Sequence, residues 1–134
     1  MSDATLPDGH IELVSLYEFE DTLNRLRDAI QAEGFLLLHE INTQQIVKSH
    51  GIEIDRVHQL LFFHPRYIQA IMDNNPRAIV EAPLKFVVME NPSQQVIMVR
   101  FTQPNTLFGR YTGLTSMGRE LNQIVTNITQ SILS

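Results

Sequence analysis

The sequence predicts an α+β fold: a mainly antiparallel sheet of about five strands with two long helices packed on one face, in the order β-α-β-α-β-α-β-β-α. Three observations predict it. Phe19, Leu23, Leu26 and Ile30 form one apolar stripe, and Met117, Leu121, Ile124 and Ile128 form another. Both follow the three- and four-residue spacing of a helix buried on one side. Between them lie short apolar runs bounded by Gly, Pro and Asn, which read as strands. Two of these, residues 84–90 and 95–102, flank Asn91-Pro92-Ser93-Gln94, a loop length common in hairpins.

Residues 1–9, with Pro7, Asp8 and Gly9 as breakers, read as a flexible tail. Residues 10–134 read as a single domain. Residues 10–16 alternate as a first strand. Ser15 with Glu18 three residues on matches a capping box, and Val14 with Phe19 a hydrophobic staple. Glu18, Glu20 and Asp21 fall where the helix dipole favours anions, and Gly34 is the stop. Residues 35–41 form a second strand. Asn42 with Gln45 is expected to cap a short helix ending near His50, terminated by Gly51.

Residues 56–63 form a third strand, broken by Pro65, which starts a short helix through Met72. Asn75-Pro76 opens a further turn, which cannot continue because Pro83 disfavours helix at Ala82. The hairpin follows, Pro104 ends it, and residues 105–113 carry no clear pattern. Thr115 or Ser116 is the expected cap of the last helix. Leu23 and Leu121, mid-stripe, are expected in the core.

Composition narrows the function classes. At 134 residues, 43% hydrophobic and 19% charged, the chain can bury a core. A net charge of −5 argues against a dedicated nucleic-acid binder. With no cysteine, disulfides, thiolate metal sites and cysteine nucleophiles are excluded. No apolar run approaches a bilayer span, so no membrane partner is expected, and the acidic, polar start is unlike a leader. A cytoplasmic location is the expectation. Residues 1–55 carry eleven acids and three bases, net −8, and residues 56–134 four acids and seven bases, net +3. This reads as two solvated faces of one domain, with a weakly positive surface that receives an anion or an acidic face of a second copy as the alternative.

The order Gly34-Phe35, Glu40-Ile41, Gly51, Phe62…Pro65, Ala82-Pro83-Leu84 and Pro104 resembles the DUF302 family, small bacterial and archaeal domains of uncharacterised function. The resemblance runs from about Ser15 to Ile128. It departs at Phe63-His64, where the family often has a glycine or small residue before the proline. It implies an α+β fold that tends to dimerise, and no reaction.

No catalytic motif is present: Gly-x-Ser-x-Gly, the phosphate loop and the dinucleotide fingerprint are all missing. No cofactor is indicated. A strand glutamate flanked by leucines needs a cation or donor, so Glu40 is a candidate, paired with Arg100 or forming with His64 and Arg100 a polar cleft for a small polar or anionic ligand. His39 shares its alternation with Phe35, Leu37 and Ile41, and His58 with Leu60 and Phe62. Both therefore read as structural histidines at the core edge. The alternative is a metal site built from His39, His58 and another strand residue. The chain thus reads as a non-catalytic ligand-binding or homodimeric module, with a metal-dependent protein or enzyme using these histidines and Glu40 as the alternative. Strands 35–41 and 56–63 are apolar at both alternations. One helical layer covers one face, so dimerisation through the other face or an edge is expected, the competing cover being residues 66–82 and 105–113 folded over the sheet.

Overall fold

The computed structural model describes residues 5–134. Its elements are β1 (His10–Val14), α1 (Phe19–Ala32), β2 (Leu36–Asn42), α2 (Thr43–Lys48), β3 (Val57–Phe63), α3 (Pro65–Asn74), a 3-10 turn (Pro76–Glu81), β4 (Leu84–Asn91), β5 (Val96–Thr102), α4 (Pro104–Phe108), α5 (Thr115–Thr129) and a last 3-10 turn (Gln130–Ile132). The sheet runs β1-β5-β4-β3-β2, and every neighbouring pair is antiparallel.

Both expected stripes face the core, with Phe19 and Met117 buried and Ile124 partly buried against it. Leu23, Leu26 and Ile30 of α1 and Leu121, Val125 and Ile128 of α5 are buried with Leu60, Phe62, Phe86, Val88 and Val99 of the sheet. Strand alternation puts these sheet residues on one face, so both long helices cover the same side. Phe62 stacks on Phe86 with ring centroids 4.8 Å apart, a geometry that adds to the area buried. The patternless stretch after Pro104 contains the short α4, whose Phe108 is fully buried against Phe63.

Two caps differ from expectation. Glu18, not Ser15, caps α1: its carboxylate accepts from the amides of Glu20 at 3.1 Å and Asp21 at 2.7 Å. Ser15 is buried and its hydroxyl bonds that of Thr22 at 2.7 Å. Helix α5 begins at Thr115 itself, with no side-chain cap. Asn42 caps α2 as expected, accepting from the Gln45 amide.

Of the expected tail, residues 1–4 lie outside the described residues. Gly9 is held: its carbonyl accepts from the Gln103 amide at 2.7 Å. Its φ is +79°, and a Cβ there would meet the Thr106 side chain at 2.5 Å. This position needs glycine both for conformation and for space.

A β-bulge changes the second strand. Leu37 stands opposite Phe62 and His39 opposite Leu61, so Leu38 is the extra residue. The shift puts Glu40, opposite buried Leu60, on the helix-covered side and turns the exposed His39 outward.

Candidate functional site

The sheet face away from α1 and α5 has its own composition. Leu84, Phe86 and Val88 of β4 point into the core, while Lys85, Val87 and Met89 point the other way. On this open face Val14, Met98, Met89 and Val57 stand side by side across four strands, and Glu12, Arg100, Val87, Gln59 and Ile41 across five. Leu61 stands opposite Lys85. Val80 and Glu81 of the 3-10 turn and Leu107 of α4 wall one end. With Leu61, Lys85, Val87, Met89 and Arg100 of the open face they line an open trough of about 640 Å³, within the usual size of small-molecule sites.

Most charges at the trough are already answered. Arg100 donates to Glu12 at 3.0 Å. The Glu81 carboxylate accepts from Arg110 at 3.0 Å and from the Tyr111 hydroxyl at 2.6 Å. That carboxylate, beside the phenol, raises the pKa of Tyr111 above its ordinary value. Among the described residues the exposed ammonium of Lys85 has no hydrogen bond or ion pair.

A second polar cluster lies on the helix side, at the β2 edge. Arg27 of α1 holds Glu40 with two bonds, Nε to Oε2 at 3.0 Å and Nη2 to Oε1 at 2.7 Å. His58 Nε2 lies 2.7 Å from the same Oε1. The bonded guanidinium, more than the imidazole, holds the Glu40 carboxyl below its ordinary range, against the opposing effect of partial burial. Arg27, Arg56, His58, Asn42, Gln44 and Glu20 surround an adjoining cleft of about 260 Å³. There Arg56 bonds Glu90 and lies 4.4 Å over the Phe19 ring, close enough for a cation–π contact. The Arg56 amide, above all, lowers the Glu90 pKa.

The proposed ligand trio is not brought together. Glu40 is on the helix side and Arg100 on the open face, where Glu12 rather than Glu40 is its partner. His64 caps α3, its Nδ1 accepting from the Arg66 amide at 3.1 Å. His39 and His58 fall on opposite faces because of the bulge, so one ion cannot bridge them. His39 is exposed and not at the core edge. Among the described residues no group of three His, Asp or Glu side chains is placed to hold a metal. Sequence reasoning missed Arg27 and the trough. The Lys85-Val87-Met89 alternation was the signal for the latter.

No helix among the described residues is long and apolar enough to cross a membrane. No curated protein matches the sequence. The crystal structure of an uncharacterised conserved DUF302 protein from Bacillus stearothermophilus is similar, with a TM-score of 0.84 at 16% identity, covering 94% of this chain and 99% of that one. At that identity the likeness concerns the fold. The family model for DUF302, a domain of unknown function, matches residues 11–132; with nearly its whole length matched, the chain belongs to the DUF302 family.

Proposed function

We propose that this chain is a non-catalytic module that binds a small amphipathic ligand in the trough on the open face of its sheet. The observation that carries this reading is the trough itself. Apolar Leu61, Val80, Val87, Met89 and Leu107 line it beside a few polar groups, the mix typical of small-molecule sites. Val80, 74% exposed, leaves apolar surface open at the wall of the trough. Nile red, an uncharged apolar dye, tests the site. Saturable fluorescence enhancement is expected with the native chain. It should be lost in Val87→Arg, which fills the trough, while cooperative unfolding is retained. Undiminished dye binding in the folded variant would contradict the reading.

A second reading, homodimerisation, is favoured by a separate groove. Leu36, Leu38, Ile68 and Met72 are each exposed between the edge strand β2 and α3, around a groove of about 260 Å³. An edge strand flanked by apolar side chains suits twofold pairing with a second copy. Light scattering after size exclusion should give twice the 15.4 kDa chain mass. Leu38→Glu should return it to one. A single-chain mass for the native protein at micromolar concentration would sink this reading.

A further inference from the structure

We propose that the trough ligand is a monoanion: a carboxylate or similar acid group set against Lys85, with its apolar body along Val87 and Met89. The inference rests on the trough reading above and adds the chemical class. Its basis is the charge balance at the site. Four ionisable residues line the trough: His10, Glu81, Lys85 and Arg100. Arg100 is neutralised by Glu12, and Glu81 by Arg110 together with the Tyr111 hydroxyl. Lys85 is left without a counter-ion among the described residues.

The carboxylates of Glu81 and of Glu12 are therefore occupied by other partners, and the one permanent charge left over in the lining is the Lys85 ammonium. A cationic ligand would find no free carboxylate and would face Lys85. A dianion would leave one charge uncompensated over an apolar floor, which costs free energy as water is displaced. A single anionic group matches the surplus. The rest of the lining offers chiefly apolar surface: Val87 and Met89 lie on the same strand as Lys85 and the same face, at alternate residues running away from it. A short acyl or aryl chain laid along β4 would thus place its acid at Lys85 and its body over these two side chains. Leu61 opposite Lys85 and Val80 at the wall would flank it.

Chain-matched probes separate the class from the site. Octanoate, octan-1-ol and octylammonium are titrated at neutral pH, with backbone amide shifts of β4 as the readout. Octanoate should bind the tightest of the three. Lys85→Gln should weaken octanoate about three- to tenfold, the worth of a partly exposed charge-assisted contact, and leave octan-1-ol unchanged. The preference should also shrink with added salt. If octan-1-ol or octylammonium bound the native trough as tightly as octanoate, or if Lys85→Gln kept the preference, the monoanion class would be overturned while the trough remained a binding site. If none of the three moved the β4 amides, the trough reading would fall together with it.

Discussion

Arg27 and Glu40, thirteen residues apart, clamp the first long helix to the edge strand of the sheet through two parallel bonds of 3.0 and 2.7 Å. Both side chains are 29% exposed, and His58, at 14%, closes the same carboxylate from β3. A two-pronged guanidinium–carboxylate pair held in this way is stronger than a typical surface ion pair. It fixes α1 against β2 at the point where the bulge has turned Glu40 inward.

Glu40→Gln should therefore destabilise the fold. The variant keeps the shape but leaves Arg27 and His58 partly buried without the anion, a loss of about 1–2 kcal/mol. Urea denaturation checks this. A change within a few tenths of a kcal/mol would show the clamp to be a solvated surface pair.

Stability should fall in acid in a way that names its source. Glu40 and Glu90 both have folded-state pKa values below the ordinary one, because Arg27 and the Arg56 amide respectively favour the carboxylate. A depressed folded pKa contributes stability that is fully present above the unfolded value, about 4.3. That stability is lost as pH falls through the folded value. Melting curves between neutral pH and pH 3 should steepen below about pH 5, and Glu40→Gln should flatten that acid limb. A variant with the native acid profile would contradict the assignment.

Leu23 and Leu121, at 1% and 0% exposure, occupy the centres of the two helical stripes. Truncation to alanine at either should cost about 2–5 kcal/mol, the usual range for a buried leucine. Equilibrium unfolding of the two variants measures it. A cost below half a kcal/mol at both would mean that the stripes face a partner instead.

Gly9→Ala should also destabilise, by about 1–3 kcal/mol. The added methyl has to tolerate a φ of +79° and a contact of 2.5 Å with Thr106. Thermal melting reads the effect. Native stability in this variant would show that the start of β1 is not docked on α4.

The legible parts of the fold were those with unbroken periodicity. The stripes of α1 and α5 and the hairpin about residues 91–94 could be read because each buried position repeats at a fixed interval. The second strand could not be read in this way. Leu36, Leu37 and Leu38 are consecutive leucines and carry no alternation, so nothing in them marks which one the bulge leaves over. One unpaired residue then reverses His39 and Glu40, and with them the expected candidate site. The cap of α1 failed for a related reason. Ser15 and Glu18 both have cap chemistry, and burial of Ser15 against Thr22 decides between them. The trough draws on residues from β1, β3, β4, β5, the 3-10 turn and α4, a juxtaposition that exists only once strand order is known.

The most direct measurement is a crystal structure of the protein grown with octanoate. Density for the acyl chain is expected along Val87 and Met89, with its carboxylate at the Lys85 ammonium. An open sheet face buried against a second copy, or octanoate bound elsewhere with the trough empty, would contradict it.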